Sequence, residues 1–380
     1  MSFGLRDQTA AVVVVVLAAL LGCSKAPSEL VGRIAQISLM DCFEASTVDA
    51  KGRPLSCEPS AVEIVAGRAL VISDKETPDE LPSPIMWLAL DQPWPDVLSS
   101  TDVRHESPTL IRSTRKIEAL TESAEGDLVF ATNDFDWPPD GRSAEPDLYN
   151  RLLYWPRDHA NRAAIANPTS NAGVVSSLSL RPYFVAALKS AKYPSGPPYF
   201  KIEGLVAMPN RELWFGVREV GPDFEHPDYT VTILRASYSE SDDGTVAVRP
   251  PISVVARVDP STELPSTDRL GLSSLARHDE ALVMLTSREA PEGQLGHESY
   301  IWVARLPARP GLDLQVVAGA DGQPLKLPCK AEGVDFASAT RLLVVCDEDR
   351  SLSTFANSGG DRFTRRPDQG VVLMVDISGL

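Results

Sequence analysis

One motif recurs along this chain at a near-constant internal spacing, and no other feature narrows the fold as much. Residues 201–218 read KIEGL, a turn, then a strand ending in Arg218; residues 330–347 read KAEGV, a turn, then a strand ending in Asp347. Residues 116–133 read KIEAL, a turn, then a strand ending in Asn133. The step from the glutamate to that strand-ending polar residue is 15 from Glu203 to Arg218, from Glu332 to Asp347 and from Glu118 to Asn133. A fourth copy, GLSSLA from Gly271, carries Ser273 in place of glutamate and also runs 15 to Arg288. A fifth runs 16 from Glu58 to Asp74, and successive motif starts lie 60, 85, 70 and 59 residues apart. Self-similarity at such periods marks an array of supersecondary units, none of which can bury its apolar face alone.

Each copy is followed by a further strand rich in aromatic and β-branched residues: Ile85–Leu90, Arg151–Trp155, Tyr229–Arg235, Tyr300–Arg305 and Val371–Asp376. A fourth strand shows in places, as at Thr245–Arg249 after the hairpin signal Asp243-Gly244. Four short strands per repeat make an all-β chain, with a β-propeller as its architecture. The orphan N-terminal strand Leu30–Leu39 is placed to pair with the C-terminal strand and close the ring, which removes sheet edges. Five motif copies plus such a shared blade give six blades, with five and seven as alternatives. Arg181–Lys192, in the longest interval, is the strongest helical segment and reads as a short helical insertion into one blade.

The N-terminus carries an apolar run from Ala10 to Leu21, too short for a membrane-spanning helix, which needs about 20 residues. It matches the h-region of a secretory signal peptide. Leu20-Leu21-Gly22-Cys23 resembles the lipobox of bacterial lipoproteins. That resemblance implies a signal peptide over 1–22, diacylglyceryl and palmitate attachment at Cys23, a linker over 23–29 and a propeller over 30–380. It implies a cell-envelope protein held to membrane lipid; Ser24 after the cysteine points to the outer membrane, facing the periplasm or the cell surface. Four further cysteines then form two sequence-local pairs, Cys42 with Cys57 and Cys329 with Cys346, as an oxidising compartment favours. The formal charge of −16 argues against nucleic acid as a partner.

The segment Leu180–Gly221 resembles an uncharacterised family of secreted bacterial propellers, and the repeats are loosely similar to phytase-like and gluconolactonase/paraoxonase propellers. In those, the strand that begins at the glutamate lines the central channel. By that resemblance Glu58, Glu118, Glu203 and Glu332 converge there, joined by Asp74 and Asp347, and such carboxylates hold Ca²⁺ for ester hydrolysis. Glu203 and Glu332 are the best metal candidates. Cations share these positions, however: Lys116, Lys201 and Lys330 each precede a motif glutamate by two residues, on the same strand face, and Arg218 and Arg288 end second strands. Structural ion pairing is therefore the leading expectation. No His or Cys spacing marks a metal site, no nucleophile elbow or phosphate loop is present, and no catalytic residue can be assigned. Trp87, Trp155 and Trp302, at matching third-strand positions, read as inter-blade packing. The sequence thus reads as an anchored binding module for an unidentified protein or small ligand. Its alternative is a calcium-dependent esterase, lactonase or phosphatase.

Overall fold

The computed structural model describes residues 30–380 apart from 46, 49–50, 75–82, 91–93, 137–145, 172, 265–268, 289–297, 307–311, 349–352 and 357–359. The lipobox and Cys23 lie outside the described residues, among which no helix is long and apolar enough to cross a membrane.

The chain forms a β-propeller of five blades, each a sheet of antiparallel strands whose first strand lies innermost; the blade 5 sheet gains the short parallel strand Val97–Leu98 at its outer edge. The inner strands are Pro59–Val65, Ile117–Glu122, Tyr199–Met208, Leu270–His278 and Ala331–Ser338, in blades 1 to 5. Each packs against the inner strands on either side, so that blade 5 meets blade 1 and the ring is closed. Closure works as expected: Val31–Asp41 pairs antiparallel with Gln369–Ser378, from Val31 opposite Ser378 to Asp41 opposite Gln369. The expected count of six needs correction. The N-terminal strand does not begin an additional blade; it becomes the fourth strand of the blade built on the Glu332 motif, so motifs and blades are equal in number.

The motif glycine has a packing reason. A Cβ on Gly333 would come within 2.8 Å of the Val62 amide nitrogen in blade 1, and one on Gly204 within 2.7 Å of Leu272 in blade 4. The inner strands thus approach more closely than a side chain permits. Further out, apolar side chains from facing blades interlock. Trp87 and Trp155 pack between blades 1 and 2, and Trp302 packs between blades 3 and 4.

The insertion between blades 2 and 3 holds a helix at Arg181–Ala187, shorter than the expected 181–192. Beyond Leu188 the Ser190 hydroxyl accepts from the Tyr193 amide, and a turn replaces the next helical turn. Leu180, Phe184 and Leu188, four apart, form its buried face, and Phe184 meets Phe135, Phe200 and Phe215. Arg181 ties the helix down by donating to the carbonyls of Phe135 and Pro198 and lying over the Phe200 ring.

Both disulfides are present, with Cα separations of 5.9 Å for Cys42–Cys57 and 6.0 Å for Cys329–Cys346. Cys42–Cys57 links the end of the closing strand to the start of blade 1, across the seam of the ring. Arg365, itself buried, donates to the carbonyls of Cys57 and Gln369 beside it.

Candidate functional site: a charged belt around the channel

All five inner strands carry a β-bulge near their start, and the bulged residues are Ser60, Glu118, Glu203, Ser273 and Glu332. A bulge leaves one residue out of the ladder and re-aims its side chain. This device, rather than strand alternation alone, sets the motif residues apart. It also corrects two sequence assignments. In blade 1 the motif position belongs to Ser60, while Glu58 stands where the other blades place Lys116, Lys201 and Lys330. The backbone agrees, since the Asp74 amide donates to the Glu58 carbonyl as the Asp347 amide does to that of Lys330. In blade 4 the counterpart of Arg218 is Ser287, because Thr286, not Ser287, lies opposite Leu272. Arg288 is one residue past that position, half-buried and paired with Glu298 at 3.4 Å, and it does not join the channel charges.

The residue that follows the ladder partner of the position just before the bulge is Asp74 in blade 1, Asp134 in blade 2, Arg218 in blade 3 and Asp347 in blade 5. Asp134 was missed in the sequence, where Asn133 held the 15-residue step. The hairpin turn of blade 2 is longer, running through residues 123–127, and it displaces the equivalent residue by one.

These side chains join into one alternating chain of ion pairs across blades 2, 3 and 5. Asp134 meets Lys116 at 3.4 Å, Lys116 meets Glu118 at 3.7 Å, and Glu118 meets Lys201 of the next blade at 3.6 Å. Lys201 contacts Glu203, and Glu203 accepts from Arg218 at 2.7 Å. Arg218 then reaches Glu332 of blade 5 at 3.7 Å, Glu332 meets Lys330 at 3.2 Å, and Lys330 meets Asp347 at 3.5 Å. Blade 4, which lies between blades 3 and 5, makes the crossing feasible. It offers Ser287, whose hydroxyl accepts from Arg218 at 2.8 Å, and Gly271, where a Cβ would stand 2.5 Å from the Arg218 side chain. Ser60 and Ser273 complete the ring without charge. Each donates to the carbonyl just before the next blade's bulge, Ile117 at 2.6 Å and Ala331 at 2.9 Å.

Arg218 is fully buried, and Glu203 nearly so. Burial pushes the Glu203 carboxyl up, but Arg218 and Lys201 more than offset it and hold it below the usual range. Burial and Lys201 work against the charge on Lys116, yet Asp134, Glu118 and Asp74 raise its pKa overall. Burial likewise opposes the charge on Lys201, and Glu203 and Glu118 raise it well above the ordinary lysine value. Both amines are thus held as ammonium ions and are unsuited to nucleophilic or basic chemistry. Elsewhere in the chain burial prevails over pairing: at its blade 2 end Asp134 is pushed up to about 7, and within it Glu332 is raised well above its ordinary value. Glu219, which accepts from the Tyr199 hydroxyl at 2.7 Å, faces the Arg218 Nε at 3.6 Å and flanks the belt.

Among the described residues no three His, Cys, Asp or Glu side chains come together as a metal site would require. From blade 1, Glu58 acts electrostatically on Arg365, and Asp74 on Lys116 of the belt.

No protein-family model matches the chain, and neither does any characterised protein sequence. Solved structures with some overall likeness include a PQQ-bound aldose sugar dehydrogenase from Streptomyces coelicolor. It is 12% identical, with 93% of this chain and 99% of that one covered, at a TM-score of 0.37. The catalytic domain of a Coprinopsis cinerea GH62 α-L-arabinofuranosidase is 9% identical, with 90% and 97% covered, at 0.43. A Penicillium chrysogenum α-L-arabinanase is 10% identical, with 92% and 98% covered, at 0.41. Likeness at this level carries no argument about activity.

Proposed function

We propose that this is a lipid-anchored cell-envelope protein, tethered through Cys23 to the outer membrane, whose propeller binds a protein or small ligand at one rim and performs no chemistry of its own. The belt carries the reading. Its carboxylates, which a calcium-dependent hydrolase would give to a metal, are each set against a lysine or arginine of the same ring. A polar channel so neutralised stiffens the ring and leaves recognition to the loops.

The direction of the chain adds support. In blade 5, Leu39 lies opposite Val371, which lies opposite Cys346 beside the belt. Val31 lies at the other end of that sheet, opposite Ser378. A tether on Cys23 would therefore join the propeller at the end remote from the belt. The rim that carries the helical insertion is directed away from the membrane, toward soluble or opposing partners.

Two measurements test this. Cys23→Ser should abolish fatty-acid labelling and membrane sedimentation; unchanged labelling removes the anchor. Calcium added to the purified protein should leave the melting temperature unmoved. A rise that grows with ligand as RT ln(1 + [L]/Kd), and that disappears in both Glu203→Gln and Glu332→Gln, would put the calcium-dependent hydrolase in its place.

A further inference from the structure

At the opposite end of the inner strands from the belt, a second set of inter-blade links recurs. The side chain three residues after the bulge accepts the backbone N–H of the next blade's inner strand. Asp335 of blade 5 accepts from the Ile64 amide at 2.6 Å, Glu63 of blade 1 from the Glu122 amide at 2.6 Å, and Thr121 of blade 2 from the Ala207 amide at 3.0 Å. Blades 3 and 4 have Val206 and Ala276 at this position and make no such link. Blade 1, the first across the closing seam, is thus held on both inner flanks by a carboxyl group.

Thr121 shows that a neutral side chain performs the same linking task. What Glu63 and Asp335 add is titration, and their surroundings are arranged to make it matter. Asp335 is buried, and Glu63 is half-buried. Opposite them in their own hairpins lie Leu70 and Leu343. From blade 2 they face Glu122, whose partner is Arg157 at 3.3 Å, with Asp127 and Asp158 beyond it. That arginine is spent on Glu122, and no cation pairs with Glu63 or Asp335 among the described residues. Two carboxyl groups in one poorly solvated space do not both ionise readily.

We propose that Glu63 and Asp335 form a pH-sensitive latch at the closing seam, tight while the pair holds a proton and slack once both groups are ionised. Each group contributes a bond across a different flank of blade 1, so ionisation of both sets the two carboxylates against each other and loosens that blade from blades 5 and 2 together. The electrostatics agree in sign. Burial, then the Asp335 charge, raises Glu63 well above its ordinary value, and burial pushes Asp335 up to about 7. A carboxyl raised in the folded state stabilises fully below its ordinary value, near pH 4, and that stabilisation is lost as pH climbs through the raised one.

Hydrogen exchange of the full-length protein reads the latch directly at three amides. Corrected for intrinsic exchange, protection at Ile64 and Glu122 should fall at least about tenfold between about pH 5 and about pH 8, while Ala207, bonded to neutral Thr121, stays flat. In Glu63→Gln and Asp335→Asn, which keep an acceptor oxygen, the fall should vanish. If Ile64 and Glu122 track Ala207, or gain protection as pH rises, the latch does not exist. Should either variant fail to fold, the three wild-type amides decide the matter by themselves.

Discussion

The two ends of the channel handle buried charge in opposite ways. At the belt, carboxylates and cations alternate across three blades, and Glu203, set between Arg218 and Lys201, is held ionised. At the other end Glu63 and Asp335 have each other and two backbone N–H groups, and burial raises both. The residue types are the same, and the inner strand Ala331–Ser338 contributes to both, through Glu332 and Asp335. The difference is that two cations stand against Glu203 and outweigh its burial, whereas among the described residues none stands against Glu63 or Asp335. A buried carboxylate whose partners outweigh burial becomes a fixed structural charge whose loss is costly, whereas one without a partner becomes a titrating group whose loss is cheap.

Breaking the belt should have the largest effect. Glu203→Gln leaves Arg218 and Lys201 buried with too little counter-charge, and chemical denaturation should show a loss of about 3–5 kcal/mol. A loss below about 1 kcal/mol would mean that the belt is hydrated and weakly coupled. Next comes the seam at the belt end: Cys42→Ser should cost about 3 kcal/mol, as expected for a loop of this size, and should steepen the fall of melting temperature with pH, because the carboxyl pair then carries more of the closure. At the lower end the sign reverses. Asp335→Asn should stabilise the protein by about 1–2 kcal/mol at pH 8, where the wild type bears the second buried charge, and this gain should shrink as pH falls and disappear below about pH 4. The smallest effect sharpens the contrast. Thr121→Val removes a neutral acceptor from the Ala207 amide and should cost about 1 kcal/mol at either pH.

Much of the architecture was legible in the residues. The E-G pair marks strands whose backbones must approach closely, the closing strand shows as an unpartnered apolar run, and both disulfides follow from cysteines near each other in sequence. The same is true of the lysine two before each motif glutamate, which announced that the carboxylates have company.

What spacing could not reveal is which residue occupies which position. Counting along the chain chose Glu58, Asn133 and Arg288, whereas the ladder places Ser60, Asp134 and Ser287 there. Hairpin turns of unequal length and one-residue bulges shift the register without altering the residue pattern. Blade number was put at six rather than five for a related reason, since an orphan strand reads alike whether it opens a new blade or completes an old one. The pairing of charges is more remote still. Arg218 finds Glu332 only because blade 4 presents Gly271 and Ser287 where bulk or charge would block the way, and Glu63 meets Asp335 only because the ring closes. Local sequence determined the strands and their repeat; the contacts between blades decided which charges are neighbours, because those residues lie far apart in the chain and come together only when the ring is complete.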